Sequence, residues 1–258
     1  MRSPGADLWQ RRGRLWILPA SGIRASAGPA RPTGLVEFIG GSGLASSPQL
    51  SYRRLLETLA RSGWCVHAWS YLPAFDHQAQ ANEAWRGFRT ARLEAQDATG
   101  HSLPVLRLGH SLGCKLHLLA PDAGRACSAL VTLSFNNFPA ERSIPLLAEM
   151  GQQLGFRSEF SPSPEQTLDL VARTWRQPRN LLIRFLRDNL DQSLRLLGVL
   201  RNRPGDASRL LELPGDHLTP ASAGVRRRLL GDWADDPGRQ RQMERLSGAI
   251  TAAAEAGA

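Results

Sequence analysis

A chain of 258 residues with 42% apolar composition can bury one large core and needs no division into two domains. No apolar run approaches the roughly 18 residues of a membrane helix. The formal charge of +9 comes almost wholly from arginine and is scattered without interleaved aromatics, which argues against a nucleic-acid surface.

Lys115 is the only lysine. The scattered arginines read as a solvated, arginine-biased surface; the alternative is that the charge draws anionic substrates or touches an anionic membrane face peripherally, without an integral membrane segment. Cys65, Cys114 and Cys127 have no metal-type spacing and are odd in number, so they read as reduced thiols in a cytoplasmic setting. Neither metal nor cofactor is expected.

In chain order, the first 32 residues are arginine-containing and acid-poor, as transit peptides are, but Arg14-Leu15-Trp16-Ile17-Leu18 reads as a strand of an edge hairpin. Leu35-Val36-Glu37-Phe38-Ile39 is a buried strand running into Gly40-Gly41-Ser42-Gly43. Tyr52, Leu55, Leu56 and Leu59 share one helical face, Gly63 ends that helix, and residues 64–71 form the next strand. Residues 82–95 read as a helix capped by Asn82, with Trp85 and Phe88 inward.

Residues 104–108 form a strand and residues 114–120 a helix; further strands are expected at 129–133, 181–185 and 210–213, with helices at 193–200 and 240–254. Strands alternating with helices over residues 1–258 predict one α/β domain with a mostly parallel sheet covered on both faces. Ile144, Leu147, Gly151 and Leu154 form one apolar stripe, and Leu168, Val171, Ala172 and Trp175 a second. Ser163-Pro164-Glu165-Gln166 starts the second helix. These two helices predict a lid inserted at about 139–178.

Gly109-His110-Ser111-Leu112-Gly113 lies between a strand and a helix, the context of a nucleophile elbow. A serine hydroxyl needs a base, and the base needs a third group to fix its tautomer. His217 sits on a Pro/Gly turn just past the last strand and is the candidate base. Asp188, after the 181–185 strand, is the candidate acid, with Asp191 as alternative. Without catalysis, those aspartates would serve as loop or helix-cap contacts. His110 is expected to pack against the sheet, and His117 to be a helix-surface or core residue. Cys114 is expected to be a small packing residue.

The oxyanion hole of such a site takes one amide from the residue after the nucleophile, here Leu112, and one from the glycine-rich turn, here Gly41 with Ser42 as alternative. The Gly41/Ser111/Asp188/His217 arrangement resembles the α/β-hydrolase superfamily over residues 35–254. More narrowly, Phe38 to Gly43 with Pro48 to Arg53, Gly109 to Leu116, Ser134 to Asn137, Phe160 to Pro164 and Gly215 to Pro220 resemble the uncharacterised domain of unknown function 1350 family. Many superfamily members carry a histidine where this strand ends in Ile39.

The resemblance implies a serine hydrolase of the esterase, lipase or thioesterase type. Its substrate would be a small acyl ester or thioester, hydrophobic if the lid is apolar. The competing expectation is a non-catalytic protein that keeps the pocket for a lipophilic ligand or a protein partner.

Overall fold

Eight strands form a single sheet in the order β1-β2-β4-β3-β5-β6-β7-β8. They are β1 (Gln10–Arg12), β2 (Leu15–Leu18), β3 (Gly34–Ile39), β4 (Trp64–Trp69), β5 (Val105–His110), β6 (Ala129–Leu133), β7 (Asn180–Phe185) and β8 (Arg209–Leu213). The computed structural model describes residues 8–21, 32–140, 159–221 and 237–255. β1 and β2 form the expected antiparallel edge hairpin, β2 runs antiparallel to β4, and all other pairings are parallel.

The central strands are buried along their whole length because helices cover both faces of the sheet. On one face α2 (Arg53–Arg61), which follows the single turn α1 (Pro48–Ser51), presents Leu55, Leu56 and Leu59. The C-terminal helix of the chain (Pro237–Glu255) adds Met243, Leu246 and Ile250 to the same core. The other face is covered by α3 (His77–Thr99), α4 (Leu112–Leu118), α5 (Pro164–Thr174) and α6 (Ser193–Arg201); the C-terminal helix is then α7.

Helix α3 is longer than the sequence pattern predicts. Its cap is Asp76, not Asn82: the Asp76 carboxylate accepts from the Ala79 amide at 2.8 Å. Asn82 lies more than a turn inside, accepting from Gln78 Nε2 at 3.0 Å. Phe88 is buried as expected, while Trp85 is only half buried.

The expected stripe of Ile144, Leu147, Gly151 and Leu154 lies outside the described residues, as does the run Arg226-Arg227-Arg228. The second stripe is α5, which begins with the expected capping box on Ser163 and Gln166 and lays Leu168 and Val171 into the core.

The sheet also carries a buried ionic chain. Glu37 and Arg107 face each other across β3 and β5. Glu37 is fully buried and takes Arg92 at 2.5 Å on Oε1 and Arg107 at 3.4 Å on Oε2, while Arg107 forks onto Asp122 at 2.8 and 2.9 Å. Removing one member leaves the others charged in a low dielectric. Glu37→Ala is therefore expected to cost about 3–5 kcal/mol, read as a fall in the urea midpoint, and a loss under 1 kcal/mol would show the chain to be dispensable.

Candidate active site

β5 delivers its chain to a turn that only glycines can flank. A Cβ on Gly109 would lie 2.6 Å from the Cys114 backbone, and one on Gly113 would overlap the Ile39 carbonyl. Between them Ser111 takes φ 55° and ψ −121°, a conformation that L-residues avoid and that costs of the order of 1–3 kcal/mol. Its amide remains in the sheet ladder, donating to the Leu133 carbonyl at 2.9 Å. The hydroxyl therefore stands at the carboxyl edge of the sheet. α4 begins at once at Leu112, two residues earlier than expected, and Cys114 is buried in the core beside it.

His217 and Asp188 come from the loops after β8 and β7. His217 Nε2 lies 3.1 Å from Ser111 Oγ, and its Nδ1 lies 2.9 Å from Asp188 Oδ2. The two loops are tied by the Arg187 amide donating to the Gly215 carbonyl at 2.9 Å. Gly215 has φ +146°, and a Cβ there would strike Thr219 and lie 3.0 Å from Phe185. Asp188 also accepts the Leu190 amide at 2.9 Å.

Burial alone would raise the Asp188 carboxyl, yet the His217 hydrogen bond and the Leu190 amide hold it below the usual carboxylate value. Asp191 faces elsewhere: it accepts from Ser193 Oγ at 2.6 Å and pairs with Arg184 at 3.5 Å.

A second chain of hydrogen bonds lies behind His217. His110 Nε2 is 2.9 Å from the His217 carbonyl, and Nδ1 is 2.8 Å from Tyr52 Oη. A carbonyl only accepts, so Nε2 must carry the proton. Nδ1 then accepts from the Tyr52 hydroxyl, and that oxygen in turn accepts the Gly41 amide at 2.8 Å. His110 thus packs under the site and also braces the turn that holds His217. Tyr52, read from sequence only as a core residue, is part of the same brace.

The Gly41 amide is already committed to Tyr52. The Ser42 and Leu112 amides have no acceptor among the described residues, and both residues line the cleft beside Ser111.

The cleft above these residues has a volume of about 500 Å³. Leu44, Leu112, Phe138, Phe160, Leu190 and Leu218 line it, with Ser111 and His217 among its polar groups. No group of three His, Cys, Asp or Glu among the described residues could hold a metal ion. No helix of the described residues is long and apolar enough to cross a membrane.

Burial pushes His77, His110 and His117 down to about 3, helped by Lys115, His217 and Arg107 respectively. His117 is a core residue whose Nε2 lies 3.2 Å from the Leu108 carbonyl. In the unfolded chain each would titrate near 6.5. Between about 6.5 and 3 the unfolded state therefore binds more protons, so stability is complete above 6.5 and drains away as pH falls. Tm is expected to drop steadily from pH 7 to pH 5 in calorimetric scans. A flat profile over that range would contradict the burial of three neutral imidazoles.

A family described as "Protein of unknown function (DUF1350)" matches residues 23–234. No curated protein matches the sequence. Among solved structures, a soluble variant of monoglyceride lipase from Saccharomyces cerevisiae in complex with a substrate analogue superposes with a TM-score of 0.63 at 13% identity, covering 95% of this chain and 94% of that one. The fluorophosphonate-binding serine hydrolase F of Staphylococcus aureus gives 0.56 at 17% identity, with 96% of both chains covered.

Esterase 2 of Thermogutta terrifontis, phosphoramylated by tabun, gives 0.58 at 16% identity, with 92% of this chain and 88% of that one covered. At such identities the likeness shows the fold alone, and that fold is the α/β-hydrolase fold.

Proposed function

We propose that this chain, which belongs to the DUF1350 family of proteins of unknown function, is a serine hydrolase that cleaves an acyl ester or thioester through an acyl-enzyme. The observation that carries the reading is the continuous hydrogen-bonded line from Ser111 Oγ through His217 to Asp188, opening into a cleft.

In the first half-reaction Ser111 Oγ attacks the acyl carbon while His217 Nε2 takes its proton, and Asp188 holds the imidazole with Nδ1–H inward. The developing oxyanion falls to the Ser42 and Leu112 amides. Collapse expels the alcohol or thiol, which leaves with the proton from His217. Water then attacks the acyl-serine by the same route and releases the acid.

The apolar walls of the cleft favour a hydrophobic part in the substrate. Of the insertion assigned to residues 139–178, the described part places Phe160 in the lining of the cleft and packs α5 on the sheet. Three unpaired thiols suit a reducing, cytoplasmic setting.

The test is an alkyl fluorophosphonate incubated with the folded protein, with the adduct mapped by mass spectrometry. A single adduct on Ser111 is expected. A well-folded protein that stays unlabelled would turn the reading toward a ligand-binding protein that retains the fold.

A further inference from the structure

The cleft has a cationic end that the acyl transfer leaves unused. Lys115 lies in α4, four residues after Ser111, and both residues line the cleft. Yet only 1% of the Lys115 surface is exposed. Its ammonium donates to the Pro162 carbonyl at 2.9 Å and stands 5.8 Å from the centre of the Phe160 ring.

Among the described residues no carboxylate pairs with it. Glu159 turns its Oε1 to the Ala140 and Phe160 amides at 3.2 and 2.7 Å, and the exposed Glu165 faces Arg195 at 3.7 Å. Among the described residues, two ammonium hydrogens are therefore left without an acceptor.

His77 stacks on the same Phe160 ring at 4.2 Å, lines the cleft, and is 2% exposed with both ring nitrogens unpartnered. Asn137 also lines the cleft. Its Nδ2 gives one hydrogen to the Pro164 carbonyl at 2.8 Å, and its Oδ1 has no partner among the described residues, so that oxygen is an acceptor suited to a hydroxyl.

A buried ammonium without a counter-ion is costly. Burial pulls Lys115 down to about 8, against the opposing pull of Glu159 and Glu165, which leaves it protonated at pH 7. His77 is neutral there and offers one N–H. A charged donor beside a neutral one matches the two oxygens of a carboxylate.

We propose that the substrate is an ester or thioester bearing a carboxylate, which pairs with Lys115 and takes the His77 N–H while its reacting carbonyl sits at Ser111. This inference rests on the serine-hydrolase reading of the same cleft and specifies its substrate class. The apolar walls then receive the carbon chain between the two ends.

The experiment compares two matched pairs of esters. para-Nitrophenyl hemiglutarate against para-nitrophenyl pentanoate places the charge on the acyl side; para-carboxyphenyl pentanoate against phenyl pentanoate places it on the leaving group. In one pair the wild type is expected to favour the charged ester by about 10- to 100-fold in kcat/KM. Lys115→Met is expected to bring that ratio close to one, and Lys115→Arg to keep part of it.

Free glutarate should also raise the wild-type Tm and compete with the neutral ester, whereas glutaramide should do neither. That arm decides the matter if Lys115→Met does not fold. No preference in either pair, or a preference that survives Lys115→Met, overturns the proposal. Failure of the underlying reading shows separately, as a folded wild type that takes no fluorophosphonate on Ser111.

Discussion

Ser111→Ala is expected to lower kcat/KM for para-nitrophenyl pentanoate by about 10⁴–10⁶-fold and to abolish fluorophosphonate labelling, with Tm changed by only a few degrees. The two halves of this expectation come from different parts of the structure. The serine backbone stays in the sheet through its amide bond to Leu133, and the turn around it is enforced by Gly109 and Gly113 rather than by the hydroxyl. Deleting one oxygen at the edge of the cleft therefore leaves the fold intact.

What is lost is the hydroxyl that lies 3.1 Å from His217 Nε2. His217→Ala should fall to a similar level, and the double variant should fall scarcely further, because the two groups act as one unit. Residual hydrolysis above about one part in a hundred in Ser111→Ala would mean that another nucleophile, or water on another base, does the chemistry.

The sheet and the elbow were legible because they rest on local pattern. Runs such as Leu35-Val36-Glu37-Phe38-Ile39 are bounded by turn residues, and the glycines of the elbow are demanded by sterics within a few residues. Asp188 and His217 were legible because each closely follows a strand whose direction the parallel sheet fixes.

The features that escaped depend on contacts between distant segments. Tyr52 reads as one member of an apolar stripe, and nothing near it in sequence shows that its hydroxyl reaches Gly41 and His110. The start of α3 escaped because Asp76 sits in a loop-like stretch after Pro73, while Asn82 looks equally able to cap. The cationic end of the cleft escaped for the same kind of reason. Lys115 stood out as the only lysine, but that no carboxylate among the described residues pairs with it becomes visible only when Phe160, His77 and Pro162 are brought around it.

Asp188→Asn and Asp191→Asn should fail in opposite ways, and this crossed result is the sharpest test of the acid. In Asp188→Asn the new amide keeps an oxygen for the Leu190 amide, so its NH₂ group faces His217 Nδ1. Two donors cannot meet. The imidazole must shift its proton to Nε2, where it points at Ser111 Oγ and leaves no lone pair to accept the serine proton. A loss of about 10³–10⁴-fold in kcat follows, with KM little changed.

Because the Asp188 carboxyl lies below the ordinary carboxylate value, it is ionised at any pH used for assay. The stability it contributes is present above about 4 and is lost only as pH falls through its lowered value. Asp191 has a different task. It takes Ser193 Oγ and the Ser193 amide at the start of α6 and pairs with Arg184.

Asp191→Asn keeps an acceptor for Ser193 and loses only the charge facing Arg184, so it should cost at most about 1 kcal/mol of stability, read in the urea midpoint, and leave turnover within about threefold, since changes away from a reacting centre act through folding. If turnover collapses in Asp191→Asn and survives in Asp188→Asn, His217 takes a different partner in the working enzyme from the one 2.9 Å away here.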